Sequence, residues 1–523
     1  MKVTTREWPA LALCVAVCLI IAPLWLVHSP AMPDYPAHVA GFKMLATQGH
    51  GEPWEKYYFI HWLFVPNLAS ELIVPTLAQI LPVEAATKLF LSLGMVLWVL
   101  GPVLVQRALF GKISPLPLAA AFFVYNAPFL WGFFNFFFAA GCSFVLLAWW
   151  IWQAGRLNAV KLAGYAAALL VLYAFHLFAF LTLLLLIGCF EISRAVDAHD
   201  IKPVALLRRA LPVILVAVPA FAVFFIFKPI GGDAGPLQFN ILDTLEDRFA
   251  AAIEYYFEGP ALILTGLLAG FWLAGILSGF LRVHRLMILP LIVLTLSALL
   301  APEWAMGGWG GHLRLPAVLG ALLFATCRPE LSEKRLKIMA GLIGVGLLLS
   351  VVSLTRDWSD YDRQISGFRA DIAGLPKGVR MLTVLDSGAM DEASDQPYWH
   401  LAEYAIVDRS GFAPLMFATK GQHIVGVKPP YDKYAAATAE QGSPPDVTEL
   451  GYLADGRVDL DPDIDTYYPY LKYFQCHFDV AVIVHGEGED NTPATPPKFM
   501  SLLKTGSFYS LYAIHPTKDC PRR

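Results

Sequence analysis

The chain predicts an α-helical polytopic membrane protein of about eleven transmembrane helices that ends in a soluble α/β domain. Three observations carry that expectation. Of its 523 residues, 57% are hydrophobic and 15% charged, with a mean hydropathy of +0.56, which is too apolar for a soluble multi-domain protein. Apolar runs recur as far as residue 354, many near the roughly 20 residues that a helix needs to cross about 30 Å of hydrocarbon. From Arg356 onward charges, prolines and short alternating runs take over. The formal net charge of −4 offers no basic surface to a phosphate backbone, which excludes nucleic acid as a partner.

Residues Trp8–His28 follow Lys2 and Arg6 and read as a first span. The run exceeds a usual signal-peptide core and no A-x-A site follows it. Met32–Ala40, MPDYPAHVA, comes next and opens an amphipathic stretch in which Val39, Phe42, Leu45 and Ala46 fall at helical spacing. Trp54, Tyr57, Tyr58, Phe59 and Trp62 suit a headgroup layer. Leu68–Leu81 is apolar but short and holds Pro75, as expected of a re-entrant or half-membrane helix.

Further apolar runs lie near 86–106, 114–130, 134–153, 161–175, 177–193, 209–228, 259–280, 286–302, 312–327 and 337–354. Their orientation follows from where Lys and Arg gather. A cytoplasmic N-terminus puts Arg107, Lys112, Arg156, Lys161, Arg194, Arg208, Arg209, Arg282, Arg285, Arg328 and Arg335 all inside. The opposite side then receives a large first loop, 29–85, a second loop, 229–258, a short one, 303–311, and the C-terminal part. The organisation expected is a transmembrane domain, 1–355, and a periplasmic α/β domain, 356–523. Within the latter, Met381–Leu385, His423–Val427, Asp479–Val484 and Phe508–Ile514 read as strands, and 359–373 and 497–504 as helices.

Asp34 is the candidate catalytic residue. A carboxylate at the membrane surface can take a proton from an acceptor hydroxyl, although Asp before a helix is also an ordinary N-cap. His38, four residues on, shares its helix face. His176 interrupts YAFHLFAF between two apolar runs, and Arg314 enters an apolar run in GGHLRLPAV. An arginine at the bilayer centre costs about 2.5–3.5 kcal/mol on insertion scales, so it either meets an anion, for which a phosphate is suited, or snorkels to the interface. Glu71, Asn67 and Asn135 are polar groups in apolar settings, placed for interhelical hydrogen bonds or substrate contact. Glu254 and Glu258, beside Tyr255, Tyr256 and Phe257, either reach the outer cavity or form a solvated helix face. His38, Glu71, His176, Arg314 and Glu254 are the candidate substrate-binding residues.

Seven cysteines form no CxxC or His-interleaved pattern. Cys14, Cys18, Cys142, Cys189 and Cys327 lie in or beside apolar runs as small hydrophobes, whereas Cys476 and Cys520 pair if the C-terminal part meets an oxidising compartment. No Walker A, Rossmann or G-x-S-x-G motif stands in a supporting context.

DYPAH, PNLASELIV, FLWGFFNFFFAAG, FHLFAF and HLRLPAV, in this order through most of the chain, resemble segments of bacterial inner-membrane proteins grouped with the GT-C membrane glycosyltransferases. That resemblance implies an inverting transfer of sugar from a polyprenyl-phosphate donor to a lipid or glycan acceptor at the periplasmic face. It makes Asp34 the base and Arg314 the residue that meets the donor phosphate. Many such enzymes pair two acids in the first loop, whereas here Asp34 stands alone with His38 in the nearby place. A divalent cation as cofactor therefore stays open, with no ligand set defined. No WWD signature is present, so transfer to protein asparagine is not supported. Two other classes fit the composition: a flippase or transporter of lipid-linked saccharides, and a non-catalytic envelope assembly subunit.

Overall fold

The computed structural model describes residues 8–227, 237–253, 258–305, 308–386, 396–436, 443–456, 467–485, 495–518 and 520. Two compact units make it up. The first comprises Met1–Leu26, Phe64–Ser70 and Lys88–Arg356, the second Val27–Leu63, Glu71–Thr87 and Asp357–Arg523.

Helices of the first unit are α1 (Trp8–Leu26), most of α4 (Val83–Phe110), α5 (Ala127–Trp131), α6 (Phe134–Gln153), α7 (Ala159–Phe175), α8 (Leu177–Asp197) and α9 (Pro203–Phe227). They continue with α10 (Leu245–Ala250), α11 (Glu258–Leu277), α12 (Ile288–Leu300), α13 (Gly311–Ala325) and the start of α14 (Glu333–Ile372), with a short antiparallel pair of strands, β2 (Leu281–Val283) and β3 (Cys327–Pro329), among them. Among the described residues six helices are long and apolar enough to cross a membrane, and five apolar helical stretches are shorter. These correspond to the eleven apolar segments read from the sequence.

One segment departs from a regular helix. Residues Leu116–Phe123 wind as a 3-10 helix before the short α5, because Pro115, Pro117 and Pro128 remove amide donors. Asn126 restarts the helix by accepting from the Phe129 amide at 3.0 Å. Gly132 ends it at φ 109°, a conformation that a side chain resists, and so frees Phe133 to begin α6 on a new heading.

At the junction of α7 and α8, His176 adopts an extended conformation and its Nδ1 accepts from the Phe178 amide at 3.2 Å. The amides of Leu68 and Leu177 donate to the carbonyls of Ala174 and Pro66, at 3.0 and 3.1 Å. A break inside apolar surroundings is thereby kept hydrogen-bonded, as a lipid environment demands.

The second unit contains α2 (Tyr35–Thr47), β1 (Tyr58–Ile60), most of α3 (Ala69–Leu77) and the end of α14. It also holds β4 (Met381–Leu385), the short helix Tyr404–Arg409, β5 (Val425–Val427), β6 (Val480–Val484), β7 (Met500–Thr505) and β8 (Tyr509–Ile514). Its main sheet runs β4-β6-β8-β7, with β4 and β6 parallel and the rest antiparallel. Every residue of β6, VAVIV, is buried, as a central strand covered on both faces requires. The stretch 497–504 is not the helix that its apolar residues suggest. Met500–Thr505 is an edge strand with a register shift between Leu502 and Lys504, since pairing with β8 outweighs an ambiguous local period.

Residues of the first loop are built into this unit. β1 pairs antiparallel with β5, and Tyr58 Oη donates to the Ala413 carbonyl at 2.9 Å. Lys43 Nζ donates to the Val407 carbonyl at 2.8 Å and to Ser410 Oγ at 3.2 Å, capping the last turn of Tyr404–Arg409 with a cation where the helix dipole favours one. Cys476 and Cys520 form a disulfide.

Candidate functional site

In the second unit, Asp34 occupies the N-cap position of α2 with its backbone already helical, and its carboxylate makes no capping hydrogen bond. The cap role therefore falls away and the carboxylate is left for other partners. It lies 3.8 Å from His400 Nε2, while the opposite ring nitrogen, Nδ1, lies 3.5 Å from Glu403. The three side chains are 17%, 6% and 0% exposed in that order. A buried imidazole thus stands between two carboxylates, one enclosed and one still reached by solvent.

Burial sets the charges of this cluster. It pushes the Asp34 carboxyl up to about 7, against a smaller lowering by His400, because desolvation disfavours an ionised acid. For His400 burial acts the other way, yet Glu403 and then Asp34 outweigh it, and its pKa rises above that of a free imidazole. The Asp34 acid is thus poised for ionisation near neutral pH, and the two carboxylates bias His400 towards its protonated form.

Phe417 gathers three imidazoles. The rings of His38 and His400 meet it edge-on at 5.1 Å each and His423 stacks on it at 5.4 Å. His38 also stacks on Phe42. Burial pushes His423 down to about 4, and its Nδ1 accepts from the Thr419 amide, so it is a neutral member of the group. His38 and Asp34 are one helical turn apart, as their spacing predicts. Nearby, Arg369 donates to both oxygens of Asp408 at 2.7 and 2.8 Å and to Glu84 at 2.5 Å, with its guanidinium over the Tyr404 ring.

In the first unit, Arg314 is ringed by aromatic faces. Its guanidinium carbon lies 4.8 Å from the Phe133 ring centre, 5.8 Å from Phe136 and 5.7 Å from Phe178. Nη1 donates to the Trp309 carbonyl at 3.1 Å, and the buried Nε–H has no partner. Among the described residues no carboxylate pairs with it. The glycines before it set its approach: Gly310 has φ 77°, and a Cβ on Gly311 would sit 2.3 Å from the Pro302 carbonyl oxygen. His176 packs edge-on against Phe136 at 5.4 Å, so His176 and Arg314 share one ring.

The remaining expected residues separate. Asn135 accepts from the Ser70 amide and hydroxyl and donates to the Asn67 carbonyl, an interhelical role. Glu71 is half-buried in the first turn of α3, where a carboxylate favours the helix N-terminus. Glu254 lies outside the described residues. Among the described residues no group of three or more His, Cys, Asp or Glu side chains is arranged to hold a metal ion. His400, Glu403 and Phe417 escape sequence reading. Their only local signal is a His and a Glu three apart in HLAEY, which is common on any helix.

The structure is similar to the crystal structure of ArnT from Cupriavidus metallidurans bound to undecaprenyl phosphate, with a TM-score of 0.50 and 13% identity over 99% of this chain and 100% of that one. The chain therefore has an ArnT-like fold, with a small sheet-containing C-terminal region, and is a multi-pass membrane protein. No protein-family model matches the chain, and no curated protein matches it in sequence.

Proposed function

We propose that the protein is an inverting glycosyltransferase that moves a sugar from a polyprenyl-phosphate donor to a lipid or glycan acceptor. The observation that carries this reading is the Asp34 carboxylate: released from capping, partly reached by solvent and titrating near 7, as a general base should. The fold shared with ArnT, solved with undecaprenyl phosphate, supports the donor class.

In the reaction the acceptor oxygen attacks the anomeric carbon from the face opposite the phosphate. Asp34 takes the hydroxyl proton as the new C–O bond forms and the bond to the phosphate oxygen breaks. Polyprenyl phosphate leaves with the electron pair, an anion of the kind that Arg314, with His176 beside the same aromatic cage, is suited to hold. His38 lies on the Asp34 side and contacts the acceptor. Glu71 and Glu254 are further substrate-binding candidates. The N-terminus is cytoplasmic and the region 356–523 periplasmic, in keeping with the charge distribution and with a disulfide that needs an oxidising compartment.

The test is release of undecaprenyl phosphate from undecaprenyl-phosphate-linked glucose, galactose, mannose and arabinose by purified wild type and Asp34→Asn, with and without EDTA. Asp34→Asn, folded by size exclusion, is expected to lose about 10²- to 10⁴-fold in turnover. Unchanged turnover removes Asp34 as the base. The EDTA arm decides the divalent cation.

A further inference from the structure

Glu403 poses a question that the transfer reaction leaves open. Its side chain is wholly enclosed, both carboxylate oxygens lack a hydrogen-bond partner, and the nearest cationic group is the His400 ring at 3.5 Å. An acid buried this deeply is costly unless it is paired. Its placement one helical turn after His400, with the other face of that ring turned to Asp34, gives it a purpose.

We propose that His400 is a positioning residue for Asp34, kept as an imidazolium by Glu403 so that its positive charge holds the Asp34 carboxylate ionised in a buried site. This rests on Asp34 being the base proposed above. The imidazolium carries N–H groups on both sides, so one points to Glu403 and the other to Asp34, 3.5 and 3.8 Å away. Each contact is longer than a formed hydrogen bond, so the coupling along the three groups is one of charge. Of the other titratable groups facing the cluster, Tyr58 and Tyr470, which feel Glu403, are held towards the neutral form by burial, as is His423 across Phe417, and His38 meets the same Phe417 ring as His400.

The experiment is the pH profile of kcat/KM for donor cleavage in wild type, His400→Gln, Glu403→Gln and Asp34→Asn. Ionised Asp34 is the active form, so the wild-type rate rises with pH through about 7. Removing a cation within about 4–6 Å raises a carboxyl pKa by about 1–3 units. His400→Gln is therefore expected to move the acid limb up by that amount and to recover rate at high pH. Glu403→Gln, which keeps its shape, moves it in the same direction by letting His400 lose its proton. A lowered plateau with an unmoved limb in both variants means a merely structural role and overturns the proposal, as does a limb that moves down in Glu403→Gln. If Asp34→Asn retains activity, the base assignment itself fails, a different outcome from an unmoved limb with Asp34→Asn inactive. Should the variants not fold or turn over, ¹⁵N-histidine spectra of the wild type read the ring directly. With His400 identified by its pairing shifts, a doubly protonated ring at pH 7 is expected, and no doubly protonated buried histidine overturns the proposal.

Discussion

Two largely buried arginines of this chain are treated in opposite ways. Arg369, in the second unit, is clamped by Asp408 on two donors and by Glu84 on a third. Arg314, in the first, meets three phenylalanine faces and one carbonyl, with an N–H left over. Aromatic faces attract a guanidinium without neutralising it. Arg369 therefore ties α4, α14 and the helix Tyr404–Arg409 together, whereas Arg314 keeps its charge and an unpartnered Nε–H, which suits it to the anion proposed above. Arg248, whose donors go to Thr244 Oγ and to the carbonyls of Phe239, Ala298 and Ala301, shows that the first unit can satisfy an arginine where it needs only structure.

That contrast can be broken by experiment, beginning with the largest effect. Arg369→Met leaves two part-buried carboxylates without their counter-charge. A loss of about 3 kcal/mol in unfolding free energy is expected, measured by denaturant unfolding in detergent, with donor affinity per folded molecule preserved. Arg314→Met is expected to do the reverse: unfolding stays the same or improves, because an apolar side chain of similar length suits the cage. Affinity for undecaprenyl phosphate then falls about 10- to 100-fold, since charge-assisted hydrogen bonds contribute about 1.5–3 kcal/mol. Retained lipid affinity in Arg314→Met, read by titration calorimetry, would remove the anion role. The smallest effect belongs to Phe133→Leu, which deletes the nearest aromatic face; a loss of about 0.5–2 kcal/mol in lipid binding sharpens the contrast, whereas no change makes the cage mere packing.

Legibility followed the range of the interaction. The apolar segments, the short helix α3 and three of the four strands of the main sheet were readable, because composition and period act over a few residues. Asp34 and Arg314 stood out as charges against apolar neighbours. Phe133, Phe136 and Phe178 did not, since phenylalanines in an apolar run look alike until a cation selects their faces. β7 was misread because a short apolar run carries no period strong enough to oppose the pairing that β8 offers.

By itself the sequence determined that this protein crosses a membrane many times, that an acid follows its first span and that an arginine enters a late one. These are decided by transfer free energies, which each segment carries locally. Only the tertiary structure decided what those charges meet. His400 and Glu403 come to Asp34 from the far end of the chain because β1 pairs with β5 and Lys43 caps the helix beside them. Pairings of that kind depend on the whole fold, and no window of residues contains them.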